Sequence, residues 1–243
     1  MVMETRHIAS LSGKDSLAMC ILMKYKWPKL KFEKVFVDTL CEHPTTYEFL
    51  DKAIDIVGPI TKLYPPSSFE ELLYERWLGF LPGPRARWCT RELKQLPFER
   101  YIKSPAVLYM GLRADEEGRL GYTPPTGVEV RYPLREWGIS LRGILKLMSK
   151  LSLEIPSRRG CYFCWGQRQV EWIQLAEEYP SLFWQAASFE KSNFTWKQGY
   201  SLIELYERRD EIFKREAMRI KRLKRKWIGE NEQGESVCKL WCK

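Results

Sequence analysis

The chain opens with an apolar run, a short polar turn and a second apolar segment. His7-Ile8-Ala9 precede the turn Ser12-Gly13-Lys14-Asp15-Ser16, and Leu17 begins the apolar stretch that follows. This order predicts a strand, a turn and a helix, with the turn at the N-terminus of the helix. Unpaired N–H groups and the helix dipole favour an anion there, and the turn adds a glycine, a lysine and two hydroxyls. The turn therefore predicts phosphate binding, with an ordinary capped helix start as the alternative.

Strand-like and helix-like segments alternate through the first half of the chain. Apolar runs predict further strands at residues 35–38, 59–63, 106–110 and 128–132. Strands alternating with helices favour a parallel α/β sheet, so we expect about five parallel strands with flanking helices. Ligands of such sheets bind beyond the carboxyl ends of the strands. Those ends carry the 12–16 turn, Asp38-Thr39 and Gly111-Leu112-Arg113.

From about Ser140 onward the pattern becomes helical. Helices are predicted over residues 141–151, 169–179, 181–190 and 200–228. We therefore expect a nucleotide-binding α/β domain over residues 1–138 and a helical C-terminal region over residues 139–243. The second region contains a Cys-x-x-Cys turn and a strongly basic segment.

Charge and cysteine content narrow the class of protein. The formal net charge of +9 favours an anionic partner. No stretch approaches the ~18 apolar residues of a membrane-spanning helix, and the N-terminus lacks the pattern of an export signal. We expect a cytoplasmic protein with no membrane partner. Its seven cysteines then suit metal binding or redox chemistry better than a disulfide framework.

Six motifs follow one another between residues 6 and 190. They are Ser12-Gly13-Lys14-Asp15-Ser16; Val37-Asp38-Thr39 with Glu42 and Pro44; Cys89-Thr90 with Leu93-Lys94 and Pro97; Gly111-Leu112-Arg113; Tyr132-Pro133-Leu134 with Trp137; and Gly160-Cys161 with Cys164. In this combination and order the chain resembles the phosphoadenosine phosphosulfate reductase family, within the PP-loop superfamily of N-type ATP pyrophosphatases. The resemblance implies the α/β fold of that superfamily and an adenine nucleotide at the 12–16 turn.

The chain departs from the family pattern at three places. Its turn has one glycine fewer than Ser-Gly-Gly-Lys-Asp-Ser, and Leu40 stands after Asp38-Thr39 where the family usually has glycine. Its C-terminal segment with Cys238 and Cys242 does not match the Glu-Cys-Gly-Leu-His motif of the assimilatory reductases. Those reductases tend to lack the Lys-Asp pair that this chain retains. The resemblance therefore favours ATP over a sulfonucleotide as the substrate.

The resemblance also implies roles for the residues at the strand ends. Lys14, Asp15 and Arg113 are the expected catalytic residues. Lys14 would neutralise charge as pyrophosphate leaves, Asp15 would help to place Mg²⁺, and Arg113 would contact a phosphate or an adenylated intermediate. Arg119 is either a similar contact or a solvated arginine. The expected nucleotide contacts are Ser12, Gly13, Lys14, Asp15, Ser16, Asp38, Thr39, Gly111 and Arg113.

The cysteines predict a metal centre. Cys161 and Cys164 have a spacing that suits one metal ion or cluster, with two buried thiols as the alternative. The resemblance implies Cys89 as a third ligand. Cys242 is the expected fourth ligand, with Cys238 or no protein ligand as alternatives. We expect a 4Fe–4S iron–sulfur cluster at these residues, or zinc.

Together these features predict an enzyme that cleaves ATP between its α- and β-phosphates and couples adenylation to sulfur transfer or thiolation. Seven of the twelve residues 215–226 are basic, which indicates a nucleic-acid acceptor or a solvated helix face. A sulfur-donor protein is a further expected partner. The alternatives are a sulfonucleotide reductase that releases sulfite and a non-catalytic module that binds a nucleotide or a nucleic acid.

Overall fold

A computed structural model describes residues 4–155, 160–191 and 194–232, with side chains described as far as residue 222. The described residues form two compact units. One comprises those of Met1–Leu72 and Arg87–Cys161, and the other those of Leu73–Ala86 and Tyr162–Lys243. The domain boundary predicted after residue 138 lies inside the first of these units.

The first unit is built on a five-stranded parallel sheet. Its strands are β1 (Arg6–Ser10), β2 (Glu33–Val37), β3 (Thr61–Leu63), β4 (Ala106–Tyr109) and β5 (Val128–Arg131). They lie in the order β3-β2-β1-β4-β5, and each neighbouring pair is parallel. The predicted parallel α/β sheet of about five strands is therefore confirmed. The chain moves outward from β1 to β3 and then returns to β4 on the other side of β1, so the strand order reverses between β1 and β4.

Helices follow β1, β2, β3 and β5. They are α1 (Lys14–Lys26), α2 (Pro44–Val57), α3 (Phe69–Glu71), α4 (Trp88–Thr90), α5 (Leu96–Tyr101), α6 (Pro133–Glu136) and α7 (Leu141–Lys150). A π-helical turn continues α3 over Leu72–Arg76, and another joins α4 to α5 over Arg91–Gln95. The start of α2 follows from local chemistry. Pro44 occupies its first turn, and the His43 side chain accepts a hydrogen bond from the Thr45 amide.

Apolar side chains cover both faces of the sheet. Ala9 and Phe36 belong to one buried cluster, which also includes residues of α1, α2 and α7. Ile8 and Leu108 belong to a second cluster, which includes Phe98 of α5. Adjacent residues of β1 thus enter different clusters, because successive side chains of a strand point to opposite faces. The apolar runs that predicted the strands follow from this burial on both faces.

The second unit is helical over its described residues. Its helices are α8 (Gln169–Glu178), α9 (Pro180–Ser188), α10 (Leu202–Glu207) and α11 (Arg209–Glu232), and α8 packs against the other three. The predicted helix over residues 200–228 is two helices, because the chain leaves helical geometry at Arg208. None of the described helices combines the length and the apolar character needed to span a membrane.

Candidate functional site

A cavity of about 570 Å³ opens at the carboxyl edge of the sheet in the first unit. It is lined by residues at or just beyond the ends of three strands: Ser10, Leu11 and Ser12 after β1, Phe36 and Val37 of β2, and Met110 and Leu112 after β4. The cavity therefore lies where the strand order reverses. Open α/β sheets bind their ligands at such a position.

Cations dominate the charged lining of this cavity. Arg87, Arg91, Lys94 and Arg119 contribute to its wall, whereas Glu42 is the one carboxylate among the lining residues. Two of these cations have acidic partners outside the lining. Arg91 pairs with Glu99 at 2.5 Å and Arg119 with Glu116 at 3.1 Å. The excess of positive charge favours a ligand with several negative charges.

The 12–16 turn is organised around the hydroxyl group of Ser16. The Ser16 Oγ accepts hydrogen bonds from the amides of Ser12 at 2.8 Å and Gly13 at 3.0 Å. It donates to the carbonyl of Gly13 at 2.9 Å. Ser16 is therefore buried within the turn and shapes it. Of the five predicted turn residues, Ser12 is the one that lines the cavity.

The three predicted catalytic residues contact one another. The carboxylate of Asp15 lies between the ammonium of Lys14, at 2.5 Å, and the guanidinium of Arg113, at 2.8 Å. Both oxygens of Asp15 therefore accept from cations, and its predicted part in placing Mg²⁺ stays a prediction. Its contacts make Asp15 a group that positions two cations.

Arg113 is held by a second set of acidic groups. Its Nε lies 2.9 Å from Asp115, and its amide donates to Glu116 at 3.1 Å. Its side chain is only 8% exposed. Burial lowers the pKa of Arg113, but the hydrogen bond to Asp115 and the charges of Asp15 and Glu116 outweigh it and raise the pKa above its ordinary value. Arg113 lies beside the cavity residue Leu112 in sequence but does not itself line the cavity.

Gly111 allows the loop after β4 to approach the start of α1. A Cβ atom at this position would lie 2.8 Å from both the amide nitrogen and the Cα of Ser16. Any side chain would collide with backbone atoms there. The structure thus gives Gly111 a packing role, while its predicted contact with the nucleotide stays a prediction.

Asp38 fixes the turn after β2. One of its oxygens accepts from the amide of Leu40 and from the hydroxyl of Tyr47, each at 2.9 Å. Burial, followed by this hydrogen bond, raises the pKa of Tyr47. Leu40 has a φ of 61°, in the left-handed region that favours glycine. A glycine would adopt this backbone with less strain than leucine does.

A buried polar cluster contains Thr39 and Glu42. The Glu42 side chain is 2% exposed and accepts from the Thr39 hydroxyl at 2.8 Å. Its carboxylate lies 3.4 Å from Lys94 Nζ and 3.9 Å from Cys161 Sγ. The hydroxyl of Thr39 is also 3.3 Å from that sulfur. A thiol thus lies next to a carboxylate of the cavity wall.

The predicted cysteine ligands belong to different units. Cys89 of α4 and Cys161 lie in the first unit and Cys164 in the second, and none of the three forms a disulfide. Within residues 4–155, 160–191 and 194–232, no group of three or more His, Cys, Asp or Glu side chains is placed to hold a metal ion. Cys238 and Cys242 lie outside the described residues. The described cysteines alone therefore do not fit an iron–sulfur cluster or zinc.

The loop that carries Arg119 is fixed from the side of α6. The guanidinium of Arg135 donates to the carbonyls of Glu116 at 2.7 Å and Arg119 at 2.8 Å. Further along, the hydroxyl of Tyr132 accepts from the amide of Tyr122 at 3.0 Å. A Cβ atom on Gly121 would lie 1.7 Å from that hydroxyl oxygen. These contacts determine the shape of one wall of the cavity.

Several lining residues were not identified as site residues from the sequence. Glu42 and Lys94 belong to the motifs, and Arg87 and Arg91 to the cationic segment 85–94, but none of these four is among the predicted site residues. The density of positive charge over residues 85–94 is the sequence signal for the cations of the wall, since this segment holds three arginines and a lysine. Such a run has the same composition as a solvated surface loop, so it does not by itself indicate a ligand.

Known proteins are similar to parts of this chain. Residues 6–125 match the phosphoadenosine phosphosulfate reductase domain. An uncharacterised 37.8 kDa protein of Escherichia phage 186 is 26% identical over 254 aligned positions, which cover 77% of this chain and 75% of the phage protein. An uncharacterised protein of Methanocaldococcus jannaschii is 26% identical over 185 positions, covering 70% of this chain but only 44% of the archaeal protein. A crystal structure of phosphoadenylyl-sulfate reductase from Candida auris, in complex with phosphate, aligns with a TM-score of 0.47 and 16% identity over 67% of this chain and 84% of that one.

Proposed function

Because residues 6–125 match the phosphoadenosine phosphosulfate reductase domain, we propose that the chain belongs to this family of the PP-loop superfamily, that its cavity binds an adenine nucleotide and that the protein is an enzyme of sulfur metabolism. One observation carries this proposal. The cavity lies over the ends of β1, β2 and β4, adjoins the 12–16 turn through Ser12, and has four cations in its wall against one carboxylate. A polyphosphate or a sulfonucleotide matches that charge.

Within this class we propose ATP as the substrate, cleaved between its α- and β-phosphates. An oxygen of the acceptor attacks the α-phosphorus, and the bond from that phosphorus to the bridging oxygen breaks. Pyrophosphate leaves with the electron pair, and the acceptor becomes adenylated. Lys14 and the cations of the wall balance the charge that develops on the leaving group. Asp15 positions Lys14 and Arg113, because its two oxygens contact both of them.

Adenylation then prepares the acceptor for sulfur transfer. A sulfide-level nucleophile from a donor protein attacks the carbon that bears the adenylated oxygen, a carbon–sulfur bond forms, and AMP leaves with the electron pair of the carbon–oxygen bond. The retained Lys14-Asp15 pair supports ATP, and the mismatch of the C-terminal segment to the reductase motif supports transfer rather than reduction.

Pyrophosphate release tests the ATP proposal. Anaerobically purified protein is incubated with ATP and Mg²⁺, and pyrophosphate is measured with and without candidate acceptors. We expect Lys14→Ala to lower the rate by about 10²–10³-fold, by analogy with the loss of one charge-stabilising donor. Lys31→Ala is the matched control, because Lys31 is exposed and lies outside the lining of the cavity. Equal rates for the two variants would refute the role of Lys14.

A sulfonucleotide reductase is the second candidate, and one specific observation favours it. The Cys161 sulfur lies 3.9 Å from the cavity carboxylate of Glu42, so a thiol stands near the ligand space. Incubation with phosphoadenosine phosphosulfate and reduced thioredoxin, followed by a sulfite assay, tests this candidate. Binding of either nucleotide without turnover would instead support a non-catalytic module.

We also propose that the protein contains an iron–sulfur centre, and this prediction concerns its iron and sulfide content. Iron, zinc and acid-labile sulfide are measured on anaerobically prepared protein, and the measurement is repeated on Cys161→Ser and on Cys20→Ser. Cys20 is fully buried in the core, and burial raises its pKa to about 12, so it is a matched thiol outside any predicted centre. We expect metal content to fall in the first variant alone.

A further inference from the structure

We infer that the outer face of α11 binds the phosphodiester backbone of a double-stranded nucleic acid. The proposal concerns a surface separate from the nucleotide cavity and does not depend on the function proposed for that cavity. Two observations support it. One face of α11 packs against its own unit, and the opposite face carries exposed cations.

One face of α11 holds it to its own unit. Ile212 is buried, and the carboxylate of Glu216 accepts from Arg168, which precedes α8, at 2.9 Å. Glu216 also pairs with Arg219 at 2.8 Å. The spacing of four between residues 212 and 216 places both on one side of the helix. Packing and the acidic charge of this segment are therefore on the same side.

The opposite face carries cations. At 100° per residue, positions 214 and 221 lie within about 20° of each other and roughly opposite positions 212 and 216. Lys214 and Lys221 are exposed on this face, and Arg222 is exposed at its flank, about 80° from Lys214. Among the side chains that the structure describes, none of these three has a carboxylate within ion-pair distance.

Acidic residues are absent from this line over a long stretch of sequence. Asp210 and Glu211 precede it, and between Lys214 and Lys226 the one acidic residue is Glu216, on the packed side. The helix rises about 18 Å over those twelve steps. Duplex DNA presents one charge per ~1.7 Å of its axis, so a line of this length faces many phosphates.

The composition of the face favours a nucleic acid over a lipid surface. Beyond Glu216 the described apolar side chains are Ala217, Met218 and Ile220, and all three are exposed. Among the side chains described as far as residue 222, they lie singly among cations and do not form the broad apolar face that an interfacial helix inserts into a membrane. Over this part of the helix the row of cations matches a phosphate backbone.

The test measures binding to labelled 25-base-pair DNA, to an RNA hairpin and to a single strand, between 50 and 200 mM salt and without added nucleotide. Loss of three phosphate contacts lowers the salt slope by about 2.7, because each contributes about 0.9 on duplex DNA. Between 50 and 200 mM salt the affinity of the wild type for the duplex should fall steeply. The affinity of the triple variant Lys214→Gln/Lys221→Gln/Arg222→Gln should fall about 40-fold less over the same range. The single variant Lys214→Gln should show a difference of about 3-fold.

The control is Lys103→Gln/Lys146→Gln/Lys150→Gln, which removes the same charge from exposed sites of the first unit. Equal losses in the two triple variants would overturn the proposal, because net charge alone would then explain binding. An unchanged salt slope would also overturn it. So would tight binding to anionic phospholipid vesicles that depends on the three residues and displaces the DNA. Comparison of the three nucleic acids tests the preference for a duplex, and tighter binding to the single strand would overturn that part of the proposal.

Discussion

The contact of Gly111 with the first turn of α1 gives the sharpest test of the site. In Gly111→Ala the new methyl carbon would lie 2.8 Å from the N and Cα of Ser16 and 3.1 Å from the carbonyl carbon of Asp15. All three are backbone atoms, so the turn or the loop must move. Overpacking of this kind costs about 1–3 kcal/mol. Replacing glycine by alanine also stabilises the folded state by about 0.4–1 kcal/mol, because it reduces the conformational entropy of the unfolded chain. The expected net loss in the free energy of unfolding is about 1–2 kcal/mol.

Urea unfolding measures this loss, and Gly118→Ala is the matched control. Gly118 lies in the same loop region, and a Cβ atom there meets no heavy atom within 4 Å. We expect the control to unfold at the same urea concentration as the wild type or at a slightly higher one. A movement of Ser16 would also disturb its hydrogen bonds to Ser12 and Gly13, so nucleotide affinity should fall in Gly111→Ala alone. Indistinguishable unfolding curves for the two variants would refute the reasoning.

Three further predictions concern single side chains. Leu40→Gly should raise the free energy of unfolding by about 0.5–1 kcal/mol, because relief of a left-handed backbone, about 1–2 kcal/mol, exceeds the entropy cost of glycine. Thr39→Val should lower the free energy of unfolding by about 1.5–3 kcal/mol, because it removes a hydrogen bond to the buried carboxylate of Glu42. Glu33→Gln should lower it by at most about 1 kcal/mol at pH 7. The hydrogen bond from the arginine of β1 holds the pKa of Glu33 below its ordinary value, so this difference is present at neutral pH and disappears as the pH falls through the folded-state pKa.

Each of these predictions has its own control, and chemical denaturation is the measurement in every case. Leu120 is exposed without a positive φ, so Leu120→Gly should destabilise the protein rather than stabilise it. Thr39→Ser keeps the hydroxyl and should retain most of the stability. Stabilities of wild type and Glu33→Gln are compared at neutral pH and at a pH below the folded-state pKa of Glu33. If the difference in the free energy of unfolding between the two proteins is the same at both pH values, the ionised Glu33 carboxylate does not stabilise the folded state.

The sheet was predictable because its determinants are local. Burial on both faces makes each central strand a continuous apolar run, and the helices between the runs leave parallel pairing as the natural arrangement. The end of the long C-terminal helix was less predictable. The predicted helix over residues 200–228 contains a break at Arg208, and Ser201 caps a separate short helix through Glu204. The capping box at Ser201 signals where the helical segment begins, but it gives no indication of the break at Arg208.

The contacts of the site were only partly predictable, because they join distant parts of the chain. Asp15 and Arg113 are 98 residues apart, and no local pattern states that they pair. Glu42 and Cys161 are 119 residues apart. A motif indicates that a charged residue belongs to the site. Which residue it forms an ion pair with depends on the strand order, because that order brings distant segments together. For that reason the motifs pointed to the carboxyl edge of the sheet and could not distinguish the residues that line the cavity from those that support it.

The position of Gly121 beneath the Tyr132 hydroxyl has a consequence for how this fold can diverge. The ring carbon that bears the hydroxyl would also lie only 2.4 Å from a Cβ at residue 121, so a change to phenylalanine does not create enough room. An alanine at 121 becomes acceptable only with a smaller residue at 132. Among proteins that share this loop, we therefore expect the two positions to covary. A protein with tyrosine at 132 and a bulky residue at 121 would need a differently shaped entrance to the cavity.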